Sequence, residues 1–112
     1  MLGILIEPNL RSVGLFERTW TLLEIQVLIR GHMESVTPPI IGYTMLVNEE
    51  GHRKALTQWK MPFQSKGKAG LITCLGNAVI LGDPNVKGQL TGIERPQAED
   101  LLAFLRAEIV WE

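Results

Sequence analysis

The clearest structural signal in the chain is the stretch TLLEIQVLIRG at residues 21–31. Thr21 and Glu24 have the spacing of a capping box, in which each side chain accepts a hydrogen bond from the backbone N–H of the other residue. The positions that follow are mostly apolar, and Gly31 stands where a left-handed residue commonly ends a helix. The stretch therefore predicts a helix over residues 22–30 with a wide apolar face.

Short β-rich runs lie on both sides of this helix. They are predicted at residues 2–6, 13–16, 32–36, 41–47 and 71–81. The last run is interrupted at Gly76-Asn77, which indicates a bend or a bulge. Residues 48–51 read Asn-Glu-Glu-Gly and predict a turn in which Gly51 takes a positive φ. Segment 52–70 is the least regular part of the chain.

A second helix is predicted near the carboxyl end. Pro96 fits the first turn of a helix, and the apolar residues after it recur at helical spacing, namely Ala98, Leu101, Leu102, Leu105 and Ile109. The order of elements and the short connections favour an α+β fold, with a mostly antiparallel sheet of about four to five strands and two helices on one face. A length of 112 residues fits a single domain, 1–112.

The composition is that of a globular protein that needs no cross-links. Hydrophobic residues make up 46% of the chain and charged residues 21%, which is enough apolar material for a core. Cys74 is the only cysteine, so no internal disulfide can form and a cytoplasmic location is favoured. No apolar run approaches the ~20 residues of a membrane-spanning helix, and the first residues do not resemble a signal peptide. We therefore expect a soluble protein with no membrane partner.

The sequence contains no recognisable catalytic or metal-binding motif. His32, His52 and Cys74 are scattered and lack the spacing of metal ligands. Cys74 lies in an apolar run, where burial is expected to raise the pKa of its thiol. The glycine- and lysine-containing residues 64–70 precede a strand, whereas a phosphate-binding loop follows one. The sequence thus predicts no catalytic residues, no metal and no cofactor, and it favours a protein that is not an enzyme.

Charge is distributed unevenly along the chain. The net formal charge is −3 over residues 1–50, +5 over 51–82 and −3 over 83–112, and the middle segment has no acidic residue. A basic segment with aromatic residues can neutralise phosphates and stack on bases. The candidate binding residues are the cations and one tryptophan of this segment: Arg53, Lys54, Trp59, Lys60, Lys66 and Lys68. Alternatively, the segment is an ordinary loop whose aromatic residues pack into the core and whose lysines face acidic residues elsewhere.

Two other hypotheses remain open from the sequence. Ile109-Val110-Trp111 are apolar to the end of the last helix and beyond, and they can pack either on the protein's own sheet or on a second copy in a homodimer. A small-ligand-binding protein or enzyme is the alternative to a macromolecular binding module. Its pocket would lie between sheet and helices, with His32, Tyr43 and Asn48 as polar groups.

Several short pieces of the chain point to a known family. These pieces are LLEIQ at residues 22–26, Gly31 ahead of a short strand, LVNEEG at 46–51 and GNAVILG at 76–82. Over roughly residues 20–105 the chain resembles a domain-of-unknown-function family of small proteins from bacteriophages, plasmids and their bacterial hosts. The resemblance implies a compact α+β fold and an origin in a phage or other mobile element, and it carries over no catalytic residues. The chain departs from the family pattern at Arg30-Gly31, where the family tends to have two glycines.

Overall fold

The fold combines two antiparallel sheets with two helices in the part of the chain that the computed structural model describes, residues 1–17, 21–36, 42–51, 54, 56–65 and 68–112. The strands are β1 (Leu2–Glu7), β2 (Ser12–Glu17), β3 (Met33–Val36), β4 (Tyr43–Asn48), β5 (Gln58–Ser65), β6 (Lys68–Leu75), β7 (Ala78–Gly82) and β8 (Val110–Trp111). The helices are α1 (Leu22–Ile29) and α2 (Arg95–Glu108). The predicted α+β class is confirmed.

The strands divide into a large sheet and a small sheet. The large sheet has the order β2-β1-β7-β4-β3 and the small sheet the order β6-β5-β8, and adjacent strands run antiparallel. The central strands β1 and β7 are apolar at almost every position and are buried on both faces. Such runs without alternation are typical of strands that are covered on both sides.

The two helices pack on opposite faces of the large sheet. Ile4 and Ile80 point into a core cluster that includes residues of α2 and of the small sheet, whereas Leu5 and Val79 point into a second cluster with α1. The expectation that both helices lie on one face is therefore wrong. Since β1 and β7 present apolar side chains to both sides, each face of the large sheet requires its own cover.

Helix α1 begins as predicted and ends one residue earlier. In the capping box the Glu24 N–H donates to Thr21 Oγ1 at 3.2 Å, and the Thr21 N–H donates to Glu24 Oε2 at 3.4 Å. The left-handed residue that ends the helix is Arg30, with φ 64°, and not Gly31. Gly31 is needed for another reason, because a Cβ at that position would lie 2.7 Å from Nδ2 of Asn48.

The β-rich run predicted at residues 71–81 forms two strands in different sheets. Strand β6 ends at Leu75 in the small sheet, and β7 begins at Ala78 in the large sheet. Gly76 has a φ of 76°, a conformation that suits glycine, and it allows the chain to change direction there. The predicted bend is thus the crossing point between the sheets. Gly51 does not have the positive φ predicted for it; a Cβ there would lie 2.9 Å from Cβ of Leu75.

Segment 52–70, predicted to be irregular, contains all of β5. Pro62 obscured this strand, because proline lacks the N–H that a central strand uses. The structure resolves the conflict: among the described residues β8 pairs with β5 only at Trp59 and Lys60. Pro62 therefore lies where β5 has β6 on one side and no described strand on the other.

Candidate functional site

The basic segment singled out by the sequence is centred on a β-hairpin. Strands β5 and β6 pair along their full lengths, from Gln58↔Leu75 to Ser65↔Lys68. Lys60 lies in β5 and Lys68 is the first residue of β6. Of the other predicted cations, Arg53 and Lys66 lie outside the described residues. The hairpin sequence 58–75 has three lysines and no acidic residue, so its formal charge is +3.

Trp59 is a core residue. Its side chain is 0% exposed, and the indole N–H donates to the carbonyl oxygen of Gly76 at 2.8 Å. The Trp59 and Trp111 ring centroids are 6.3 Å apart, and Trp111 lies in β8, which pairs with β5. The apolar carboxyl-terminal residues thus pack on the protein's own small sheet. A ring buried in this way is unavailable for stacking on a base.

Lys54 interacts with the end of helix α1. Its Nζ donates to the carbonyl oxygen of Arg30 at 3.3 Å and lies 3.8 Å from Oε2 of Glu50. A cation is favoured at the carboxyl end of a helix, where the helix dipole places partial negative charge. The position of Lys54 is therefore explained by the fold, without a ligand.

Lys60 belongs to the exposed side of the small sheet. Trp59, Met61 and Cys74 are buried toward the large sheet, so the alternate residues form an outer face, which comprises Lys60, Pro62, Leu71, Thr73 and Val110. Lys60 Nζ lies 3.6 Å from Glu112 Oε1, with the two side chains 38% and 41% exposed. Such a solvent-exposed pair contributes little stability, so Lys60 can exchange this partner for another anion.

Two asparagines hold the carboxyl end of α1. Asn48 is buried, and its Nδ2 donates to the carbonyl oxygens of Ile29 at 3.2 Å and Arg30 at 3.0 Å. Its Oδ1 accepts from the Glu50 N–H at 2.8 Å. Asn77 donates to the carbonyl oxygen of Leu28 at 2.8 Å. The last carbonyls of α1, which lack partners within the helix, are thus bound by residues from distant parts of the chain.

The three polar residues predicted to form a ligand pocket do not come together. Tyr43 packs against the core cluster on the small-sheet side, whereas the Asn48 amide points to α1 on the opposite side. His32 is exposed. Both amide hydrogens and the oxygen of Asn48 are already hydrogen-bonded, which leaves little capacity to bind a ligand.

Two open clefts lie beside these elements. The first, of about 180 Å³, follows β6 and is lined by Glu34, Val47, Glu49 and residues 72–75 among others. The second, of about 200 Å³, lies beside the end of α1 and includes Asn9, Arg30, Thr57 and Asn77 in its lining. In the second cleft the Thr57 hydroxyl donates to Oδ1 of Asn9.

The comparisons with known proteins identify a family and no activity. The family model described as Domain of unknown function (DUF3846) matches residues 1–106. The chain belongs to this family. DUF3846 membership confirms the resemblance seen in the sequence, and the match covers β1–β7, α1 and α2 as far as Arg106. No curated protein and no solved structure is significantly similar to the chain.

In the described part of this DUF3846 domain, the thiol of Cys74 and the metal-ligating side chains can be assessed directly. Burial raises the pKa of the Cys74 thiol to about 11, as expected, so at neutral pH it is protonated and a poor nucleophile. Within the described residues, no three His, Cys, Asp or Glu side chains form a group that could hold a metal ion. Neither described helix has the length and apolar character needed to cross a membrane. The features available for function are therefore the outer face and the two clefts.

Sequence reasoning missed the role of Asn77 and interpreted Asn48 as a turn residue and as a candidate pocket residue. Asn48 lies 19 residues from Ile29, and Asn77 lies 49 residues from Leu28. No local pattern encodes such contacts. The one local signal is Gly31, whose missing side chain makes room for the Asn48 amide.

Proposed function

We propose that this chain is a non-enzymatic interaction module that binds an anionic macromolecule through the outer face of the β5–β6 hairpin. The observation that carries the proposal is the formal charge of +3 on residues 58–75, in a chain whose total charge is −1. A concentrated basic surface raises the association rate with an acidic partner and helps to fix its orientation. In this proposal residues 1–112 act as a single domain.

An acidic protein surface suits the outer face better than a nucleic acid. Single-stranded nucleic acids are typically gripped by aromatic side chains as well as cations, and the Trp59 ring is buried. Beside Lys60, the outer face instead presents the exposed aliphatic side chains of Leu71 and Val110. Protein interfaces commonly combine an apolar centre with a charged rim.

Affinity capture from the native host tests this proposal. The tagged chain is compared with a Lys60→Glu/Lys66→Glu variant and with a Lys60→Arg/Lys66→Arg variant, which keeps the charge. Lys54 is left unchanged because it contacts the end of α1. We expect a partner that binds the wild type and the arginine variant and is lost from the glutamate variant. Equal capture by all three chains would exclude the hairpin as the contact surface, and capture abolished by nuclease would indicate a nucleic acid instead.

A small-ligand-binding protein is the second candidate, favoured by the polar cleft beside α1. Asn9, Arg30 and Thr57 are among the residues that line its volume of about 200 Å³. A thermal-shift screen of nucleotides, sugars and metal ions tests it, because a ligand at 100 times its dissociation constant adds about 2.7 kcal/mol of stability. A positive compound whose effect disappears in an Arg30→Gln variant would support this candidate.

We also propose a cytoplasmic location and an origin in a phage or another mobile element. The location is supported by the single cysteine, which is free and buried. The origin rests on the family resemblance alone. Fractionation of the native host tests the first proposal, and the genes that flank the coding sequence test the second.

A further inference from the structure

Within the described residues, strand β6 forms an edge of the small sheet. Along one side it pairs with β5 over all eight residues, and along the other side it pairs with no strand that the structure describes. Its sequence, KAGLITCL, has no proline, no acidic residue and a single lysine at the first position. Exposed edges usually carry prolines, inward charges or bulges that prevent pairing. The edge of β6 has none of these over residues 69–75.

The cleft beside β6 follows this edge. Four consecutive residues of β6, 72–75, contribute to its lining. Because successive side chains of a strand point to opposite faces, four consecutive residues line one cleft only where the strand's edge faces it. The opposite wall includes Met45 and Val47 of β4 and Glu34 of β3. The free backbone of β6 is thus accessible from an open, largely apolar groove.

The two ends of this groove differ in charge. Glu34 and Glu49 line the groove together with residues 72–75, the carboxyl-terminal half of β6, and Gly51 packs against Leu75. Neither carboxylate forms an ion pair with any residue that the structure describes. The amino end of β6 begins at Lys68 and follows Lys66 in the sequence. When two such strands pair antiparallel, the basic end of each strand meets the acidic end of the other.

We propose that a second copy of this chain docks on the β6 edge, with β6 against β6 around a twofold axis. The backbone of each strand supplies hydrogen bonds, and the same complementary charges meet twice because the interface is symmetric. The two small sheets join into one continuous sheet, and the outer faces, each with its Lys60, lie on the same side of it. The inference goes beyond the proposed function and does not depend on it, since it concerns the purified chain alone.

Sedimentation equilibrium over a range of protein concentrations tests the dimer. Leu71 is 52% exposed in the single chain, so Leu71→Lys is compatible with the fold but places like charges near the twofold axis. We expect the dimer dissociation constant to rise at least about tenfold. Val110 is 44% exposed and lies in β8 at the opposite edge. Val110→Lys makes the same kind of change there and is expected to leave the dimer intact.

A charge exchange tests the orientation of the two strands. Glu34→Lys and Lys68→Glu are each expected to weaken the dimer about threefold to fivefold, and the double variant is expected to restore it. A wild-type chain that stays monomeric at every concentration would overturn the proposal. A dimer weakened by Val110→Lys and not by Leu71→Lys would overturn it as well. Circular dichroism of each variant verifies that the fold is kept.

Discussion

The carboxyl end of α1 and the outer face of the small sheet both carry polar residues from the middle of the chain, but they use them differently. At α1, Asn48, Asn77 and Lys54 are bound to backbone carbonyls. On the outer face, the Lys60 side chain forms an exposed ion pair and no other hydrogen bond or ion pair with a described residue. Residue type alone does not distinguish the two situations. A polar group that satisfies a backbone group of the same chain is explained by stability, whereas one without such a partner is available for binding.

The largest effect is expected from Asn48→Asp, because the substitution replaces a donor with a carboxylate that faces two carbonyl oxygens. Position 48 is buried, and Lys54 Nζ, which binds the same Arg30 carbonyl oxygen, offsets only part of the repulsion, so we expect a loss of about 3 kcal/mol in the free energy of unfolding. Urea denaturation measures it. Asn85→Asp is the matched control, because there Oδ1 accepts from the backbone N–H groups of Lys87 and Gln89 and the carboxylate keeps both bonds. Equal destabilisation by the two substitutions would contradict the role assigned to Asn48.

Trp59→Phe tests whether this residue belongs to the structural region or to the binding surface. The substitution removes the donor to the Gly76 carbonyl and leaves that oxygen unpaired where β6 passes into β7. We expect a loss of about 1–3 kcal/mol in the free energy of unfolding. Partner capture by the folded variant is expected to equal that of the wild type. Weaker capture with unchanged stability would mean that the Trp59 ring contacts the partner.

Cys74 lies on the inner side of the small sheet. The pH dependence of stability that its thiol causes tests whether water is excluded from that side. Because burial raises the pKa of the Cys74 thiol from its ordinary value of 9.0 to about 11, ionisation favours the unfolded chain. The stability that comes from the neutral thiol is complete below pH 9 and is lost as the pH rises toward 11. By pH 10 the wild type should lose about 1.4 kcal/mol more than Cys74→Val. Urea denaturation of both chains between pH 8 and 10 measures this difference, and parallel pH profiles would show that the thiol is hydrated.

Much of the fold follows from local patterns in the sequence, and much of the site does not. The capping box of α1, the period of α2 and the bend at Gly76 each depend on neighbouring residues and were predicted correctly. The strand through Pro62 was missed because tertiary pairing, and not propensity, decides what proline can do there. The apolar run of β7 was a usable sign that the large sheet is covered on both faces.

The sequence predicted the positive charge of the candidate site but not the positions of its side chains. The excess of lysines in the hairpin is visible in the sequence, but the different positions of Lys54 and Lys60 depend on which backbone groups and carboxylates the fold brings close. The burial of Trp59 likewise results from the crossing of β6 into β7 and from the arrival of β8 beside β5. These contacts join residues far apart in the chain.

Replacing Lys54 or Lys60 by glutamine compares the carboxyl end of α1 with the outer face of the small sheet by the same chemical change. Lys54→Gln removes a cation from the end of α1 and is expected to cost about 0.5–1 kcal/mol of stability without changing partner capture. Lys60→Gln removes only an exposed ion pair, so its cost is expected to stay below about 0.5 kcal/mol while capture weakens. Thermal denaturation and quantitative pull-down on both variants provide the two readings. If Lys54→Gln weakened capture and Lys60→Gln lowered stability, Lys54 would be the binding residue and Lys60 the structural one.

The smallest effect is expected at Arg30, the residue that ends α1. Arg30 adopts a left-handed conformation with φ 64°, which costs a non-glycine residue about 1 kcal/mol. Arg30→Gly removes that strain but gives the unfolded chain more freedom, so we expect a net stabilisation of about 0.5 kcal/mol. Arg30→Ala keeps the strain and provides the control in the same thermal melt. If Arg30→Gly stabilises the fold while Arg30→Ala does not, the arginine is retained at a cost to stability, and the second cleft, which Arg30 helps to line, is the region in which to seek its role.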